Sequence, residues 1–238
     1  MNQVGNGMKQ INNTTPHRAA EYDSDIKKTV PFYDLFYSET IDLVRSVRPN
    51  VNVWLDTGCG TGTFVKEALI HFPNTVFIMS DPSENMLNEA KKKLSSIQPS
   101  RIQFIDAVGT ENITPDGIKQ PDVITAIQSH HYLDADMRQT ATQRCINLLA
   151  PGGIYVTFEN IHPYSAEGVE IALKRWTRYQ LSQGRDRKKS VVEDRQRFNK
   201  AYFPISVEEH IKLLKKCGFR VAELFWYSHL QAGFYAIK

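Results

Sequence analysis

No stretch of this chain is apolar for long enough to cross a bilayer, a span that takes roughly 20 residues as a helix. The N-terminal stretch from Met1 to Pro16 is rich in Asn, Gln, Gly and Thr and lacks the apolar core of a signal peptide; it reads as a mobile tail. Cysteine is scarce: Cys59, Cys145 and Cys217 are odd in number, far apart and form no C-x-x-C pair. That excludes a disulfide framework or a cysteine-built zinc site and points to reduced thiols in a cytoplasmic protein. No excess of charge of one sign is present, since 29 basic residues stand against 26 acidic ones, a formal net charge of +3. A balance this close to neutral does not by itself argue for a nucleic-acid partner. There is no internal repeat and no low-complexity linker. What remains is 238 residues with ordinary apolar and charged fractions, enough for a single α/β domain with a proper core.

The informative segment is Val51-Asn52-Val53-Trp54-Leu55-Asp56-Thr57-Gly58-Cys59-Gly60-Thr61-Gly62. A short apolar run ends in an acid, turns through glycines at alternate positions and leads into an amphipathic stretch, 63–72. This is the pattern of a buried parallel strand, a tight turn and a helix N-terminus, where backbone can lie close against a nucleotide-like ligand. The spacing is not that of the dinucleotide fingerprint G-x-G-x-x-G, and no Gly-Lys-Ser/Thr follows, so a P-loop is excluded.

Strand and helix patterns alternate from there. Strands are expected at 51–55, 75–80, 101–105, 121–127 and 154–158, with helices at 63–72, 83–94 and 134–149 between them. Asp81 or Ser83 is available to cap the helix that starts at 83. An aromatic-rich helical region precedes them at 20–48, punctuated by Pro31. A basic, mostly helical insertion follows at 167–197, then a helix at 206–216 stopped by Gly218. Residues 220–225 and 234–237 read as a closing hairpin, with Trp226, Tyr227, His229 and Gln231 in its connection. Such alternation predicts a mostly parallel sheet covered on both faces. The first three strands end in Asp56, Asp81 and Asp106, which sets three carboxylates along the edge where ligands of such sheets sit.

These motifs resemble, in order and over about 51–238, those of class I S-adenosylmethionine (SAM) dependent methyltransferases. The glycine turn matches E/D-x-G-x-G-x-G. Asp81-Pro82-Ser83-Glu84-Asn85-Met86-Leu87 is similar to the family's D-x-S-x-x-M-L, and Leu149-Ala150-Pro151-Gly152-Gly153 to its L-x-P-G-G turn. The resemblance implies a Rossmann-like fold: a seven-stranded sheet with an antiparallel C-terminal hairpin and a helical lid. It implies a mobile tail at 1–19 and one SAM-binding domain at 20–238, with cap segments at 20–48 and about 165–205. The implied cofactor residues are Gly58, Gly60 and Gly62 against the ligand, Asp56 at its ammonium end directly or through water, and Asp81 on the ribose hydroxyls. Met86 would pack on the adenine, Asp106 and Ala107 would meet the adenine amino group, and Gln128 would follow strand four.

A closer resemblance, to the carboxy-SAM synthases of tRNA wobble-uridine modification, lies in Tyr22-Asp23-Ser24-Asp25-Ile26, Thr29-Val30-Pro31-Phe32-Tyr33, Arg195, Ser206-Val207-Glu208-Glu209-His210, Gly218-Phe219 and Glu223-Leu224. It implies that Tyr33 contacts the ligand and that Arg195, reaching across a homodimer, pairs with an added carboxylate. Two departures stand out: the glycine turn has the ordinary methyltransferase form, and Ile127-Gln128 occupies the place of a ligand-side asparagine.

His130 and His131 follow strand four and are candidate general bases, the alternative being a packing role. Glu159, with Asn160 and His162, either lines a substrate pocket or caps the next element. Tyr202, with Trp176, Tyr179, Phe198 and Phe203, either covers a substrate or builds a lid core or dimer seam. The run Arg185 to Lys189 is either a solvated loop or an RNA-backbone contact. The expected activity is methyl transfer to a small molecule. The alternatives are carboxy-SAM chemistry, a SAM-binding protein without turnover and an RNA methyltransferase, with no membrane partner.

Overall fold

The computed structural model describes residues 15, 17–186 and 195–238. The expected tail therefore lies mostly outside the described residues, as do Arg187, Lys188 and Lys189 of the basic run. The tail boundary moves, however: His17 is buried, and a 3-10 turn spans Ala19–Glu21.

Strands β1 (Val53–Thr57), β2 (Val76–Ser80), β3 (Ile102–Phe104), β4 (Val123–Ile127), β5 (Ile154–Asn160), β6 (Val221–Ser228) and β7 (Gln231–Ile237) form one sheet in the order β3-β2-β1-β4-β5-β7-β6. Pairs among the first five are parallel, and β7 runs antiparallel to both β5 and β6. Every residue of β1, β4 and β5 is buried, as expected where helices cover both faces of a parallel sheet.

Alternation along β1 splits the core in two. Trp54 points to the face built with Phe36, Phe64, Phe72, Phe77 and Phe158, while Val53 and Leu55 join Ile78, Ile124, Tyr155 and Phe234 on the other. Trp54 is fully buried, and its indole N–H is satisfied by Thr125 Oγ1 at 3.0 Å. Each such fully buried large side chain contributes about 1.5–3 kcal/mol.

Among the described residues the fully described α-helices are α1 (Tyr22–Thr29), α2 (Tyr33–Val47), α3 (Thr63–His71), α4 (Glu84–Lys93), α5 (Ala135–Leu148), α6 (Ala166–Ser182) and α7 (Val207–Lys216). Their starts follow local chemistry. Ser83, Asp134 and Ser165 each accept a first-turn backbone N–H, and Ser206 forms a reciprocal box with Glu209. Gly218, at φ +100, follows α7 as foreseen.

Two readings gain detail and one changes. Pro31 separates α1 from α2, and Phe32 turns at φ 58 between them. Helix α6 runs to Ser182, with Gly184 at φ +80 beyond it, and residues 195–197 are helical again. The C-terminal strands are longer than read and joined only by His229-Leu230, so Trp226, Tyr227 and Gln231 are strand residues. Irregularity between Leu224 and Trp226 breaks the period-two pattern that would have shown β6 in full.

Candidate active site

A cavity of about 480 Å³ opens at the carboxyl ends of β1, β2, β4 and β5, the edge where open α/β sheets bind ligands. Gly58 and Gly60 form its floor between β1 and α3. Gly58 has φ +68, and a Cβ there would fall 2.5 Å from Ser129 Cβ, so the turn closes against the β4 loop only without a side chain. Gly60 has φ +54 and meets nothing within 4 Å in the direction of a Cβ; its open face is where a ligand can touch backbone. Gly62 serves differently: it is the N-cap of α3, tight against Met79, Ala90 and Leu94, and does not border the cavity. Gly58→Ala is expected to lower the melting temperature by several degrees, from strain of about 1–3 kcal/mol, and to lose ligand binding; unchanged melting and binding would contradict this packing.

Asp81 is buried on the cavity wall. Its Oδ2 accepts from the Gly60 N–H at 2.9 Å and its Oδ1 from the Ser83 N–H at 2.8 Å. Each oxygen keeps a second lone pair, so the carboxylate can still accept from a vicinal diol. Burial pushes its pKa up to about 6, against the pull of the two N–H bonds.

Asp56 lies deeper. It borders not the main cavity but a small adjoining one of about 20 Å³, shared with Gly58, Gly60, Tyr22, Tyr33 and Tyr37. A space of that size holds about one water, which suits the water-mediated contact to an ammonium group. Burial raises Asp56 to about 7, although Thr125 Oγ1 donates to it at 2.6 Å. Above it the phenols form a chain: Tyr37 donates to Tyr33 at 3.1 Å, and Tyr33 lies 3.3 Å from Tyr22. Burial keeps all three phenols neutral.

The pH dependence follows. Ionised carboxylates are the better acceptors, and the raised values belong to Asp56 and Asp81. Ligand affinity should therefore rise as pH increases through about 6 to 7. Titration calorimetry at several pH values checks this; an affinity that falls over that interval would contradict it.

Helix α1 covers the cavity and is fastened at both ends. Asp23 accepts from Thr61 Oγ1 at 2.6 Å and Thr63 Oγ1 at 2.8 Å beside the glycine turn, and from Lys93 Nζ at 2.5 Å. At the other end Trp176 Nε1 donates to the Thr29 carbonyl at 2.5 Å, Tyr179 to that of Lys27 at 2.7 Å, and Arg185 to Thr29 Oγ1. These contacts join the N-terminal and insertion segments over the cavity.

Met86, Gln128 and Tyr202 border the cavity, as do Tyr22 and Asn160. Gln128 holds φ 56, a conformation that favours glycine, and its N–H donates to Phe158 O at 2.7 Å. Other expected residues lie elsewhere. Asp106 and Ala107 are exposed and off the cavity wall, because the chain beyond β3 turns so that Gly109 and Glu111 reach the wall instead.

The His130–Tyr132 turn sends both imidazoles under the sheet edge. His130 lies between Thr110 Oγ1 at 3.1 Å and Tyr155 OH at 3.0 Å, and burial lowers its pKa to about 4. His131 Nδ1 meets Glu159 Oε2 at 2.8 Å, both side chains being 1% exposed. Neither histidine borders the cavity, whereas Tyr132 does. The general-base assignment thus gives way to the packing alternative. Glu159 is likewise no pocket residue. It accepts from the backbone N–H groups of His130 and His131 and from Thr157, and although burial alone would raise its pKa, the His131 contact holds it down to about 2.

Arg195 is exposed and forms two hydrogen bonds to Glu170, at 2.7 and 2.5 Å, away from its own chain's cavity. Among the described residues, the arginines on the cavity wall are Arg185 and Arg197, joined by His17 and Thr15. Burial, then Arg185, depresses His17 to about 4. Sequence signals for these were weak: Arg197 lay in the basic stretch without a motif, and His17 within the 1–19 stretch read as tail.

A family model described as a methyltransferase domain matches residues 55–155. Among curated relatives, the carboxy-S-adenosyl-L-methionine synthase of Trichodesmium erythraeum is 24% identical over 225 residues, covering 91% of this chain and 85% of the relative. That of Helicobacter hepaticus is 27% identical over 218 residues, covering 87% of each. Among solved structures, the N-methyltransferase NodS from Bradyrhizobium japonicum, in complex with S-adenosyl-L-homocysteine (SAH), superposes with a TM-score of 0.63 at 16% identity, over 92% of this chain and 94% of that one. The 1,6-didemethyltoxoflavin-N1-methyltransferase of Burkholderia thailandensis gives 0.62 at 16% identity, over 92% and 84%. These structural likenesses concern the fold, and SAM is the cofactor of the matched family. The cavity fits that cofactor: a diol acceptor in Asp81, an open backbone face at Gly60 and apolar wall at Met86 and Ile127. Together the matched domain, the relatives and the shared fold support a class I SAM-dependent methyltransferase related to the carboxy-SAM synthase branch.

Proposed function

We propose that this protein transfers a methyl group from SAM to a small molecule carrying an anionic group. One observation carries the reading: a single cavity runs from the buried carboxylate of Asp81 to Arg185 and Arg197, walled by Tyr132, Trp176 and Tyr202. SAM would be held by Asp81 at the ribose, Gly58 and Gly60 along its length and Asp56 through water at the ammonium. It supplies a methyl group already activated by the sulfonium. The chain's own work is alignment and exclusion of water, which α1 and α6 provide by closing over the cavity. No buried histidine is needed as a base, in keeping with the placement of His130 and His131. The two guanidinium groups suit a carboxylate or similar anion.

A second reading, carboxy-SAM chemistry, is favoured by the carboxy-SAM synthase relatives. In it Arg195, exposed on its own chain, would serve the site of a second copy in a homodimer.

The test is incubation of the purified protein with methyl-labelled SAM and a metabolite extract, followed by mass spectrometry of the labelled products. Label in an anionic small molecule supports the first reading. SAM bound with no label transferred would reject it. Once the acceptor is known, Arg197→Ala is expected to raise its KM by about tenfold or more, the worth of a charged hydrogen bond, and to leave SAH affinity unchanged. An unchanged KM would remove Arg197 from acceptor binding.

A further inference from the structure

We infer that Asn160, clamped by Gln231, holds the nucleophilic atom of the methyl acceptor and that this atom is an ionised oxygen, a step that rests on the methyltransferase reading of the cavity. Asn160 ends β5, is buried and borders the cavity. It lies directly opposite Gln231 in the β5–β7 ladder, and its Oδ1 accepts from Gln231 Nε2 at 3.2 Å. That bond takes the carbonyl half of the amide. The other half, Nδ2, has no partner among the described residues. Nor is it sealed off as Gln231 Oε1 is, so it keeps surface that a ligand can reach.

Burial favours this orientation of the two amides. Gln231 is fully enclosed, and its Oε1 has no partner. Turning both amides over would put an NH2 group, with two donors, where a carbonyl oxygen now sits. Buried orphan N–H groups are rarer than under-satisfied carbonyls. Gln231 therefore donates, and Asn160 offers N–H to the cavity.

Strand order sets where that donor stands. Asp81 follows β2, Asp56 lies in β1, and β4 and β5 come next. Neighbouring strands are about 4.8 Å apart. A cofactor laid from Asp81 to Asp56 thus spans β2 and β1, and Asn160 stands two strands, roughly 10 Å, further on. That is the acceptor's side, shared with Tyr132 and Tyr202.

A donor at this point selects the attacking element. An amine nitrogen has one lone pair, and an N–H aimed at it would tie up the electrons that must form the new bond. An oxygen can take the N–H on one lone pair and attack with another. An ionised oxygen gains most from the contact. Its bond to the methyl carbon forms as the carbon–sulfur bond breaks, and the electron pair goes to sulfur. Anion and sulfonium become a methyl ether or ester and a neutral thioether, with no proton to move. The acceptor class is therefore a carboxylate, or an ionised phenol or enol.

The experiment carries the methyl-labelled SAM incubation through to the labelled atom, read by fragmentation mass spectrometry, and then uses the purified unmethylated parent compound. Label is expected on oxygen. Asn160→Asp keeps the oxygen that Gln231 holds and replaces only the NH2 group. It should weaken binding of the parent compound to SAH-loaded protein by about tenfold or more in titration calorimetry, and lower kcat/KM further, while SAH affinity stays within about twofold of the wild type. Gln231→Leu tests the clamp as a positioning residue. It should lower kcat/KM by about tenfold alone and add little in the Asn160→Asp background, because the two side chains act as a unit. Unfolding curves confirm that each variant is folded. Label on nitrogen, carbon or sulfur, or a folded Asn160→Asp variant with wild-type kcat/KM, overturns the assignment while methyl transfer stands. SAH bound with no label transferred overturns the methyltransferase reading, and this assignment with it.

Discussion

Asp81→Ala is expected to weaken SAH binding by about a hundredfold or more. In the proposed binding mode the substitution removes two acceptors for the ribose hydroxyls, and hydrogen bonds to a charged group are worth about 1.5–3 kcal/mol each, together at least about 3 kcal/mol. It also frees the backbone N–H groups of Gly60 and Ser83 that Asp81 now holds at 2.9 and 2.8 Å, so the glycine turn and the start of α4 lose their common anchor. Asp81→Asn keeps one carbonyl acceptor but places an N–H against a donor, and should fall between the alanine variant and the wild type. Titration calorimetry with SAH measures both. An alanine variant within about threefold of the wild type, a difference well under 1 kcal/mol, would remove Asp81 from ligand binding.

Glu159→Ala carries the largest expected effect on stability. Glu159 is fully buried and ties together the ends of β4 and β5 through the backbone N–H groups of His130 and His131, the His131 ring and Thr157 Oγ1. Removing one side of such a buried network costs about 3–5 kcal/mol. For a chain of this size that is a fall in Tm of roughly 10 °C. The ligand site should loosen as well, because the His131 carbonyl holds the Phe203 N–H at 2.7 Å, and Tyr132 and Phe203 both border the cavity. Thermal unfolding followed by circular dichroism reads the effect. A Tm within about 2 °C of the wild type, worth less than 1 kcal/mol, would show that the network contributes little.

The two residues mark where the sequence was readable and where it was not. Asp81 could be found because strand, acid and helix cap follow one another locally, and the geometry of a strand end leaves the acid few places to go. The same local regularity exposed Gly58, Gly60, the five parallel strands and the cap at Gly218. Asp106 looked equivalent to Asp81 in the sequence, yet β3 is only three residues long and its following loop carries the acid to the surface. Which residue then reaches the wall is set by how residues 108–112 pack on β2 and α5, and no periodicity reports that. His130 and His131 stayed between two roles for a related reason. Spacing located them after β4, but a 3-10 turn rotated their rings beneath the sheet edge towards Glu159, Thr110 and Tyr155. Arg195 and Arg197 differ by two positions in a basic stretch, and only tertiary packing sends one to Glu170 on the surface and the other to the cavity.

The central claim is that the cavity at the strand ends holds SAM, and native mass spectrometry of the intact protein titrated with SAH tests it most directly. The account predicts one SAH per chain, displaced by SAM and lost in Asp81→Ala with the fold retained. A wild-type protein that stays folded and takes up neither molecule would contradict it.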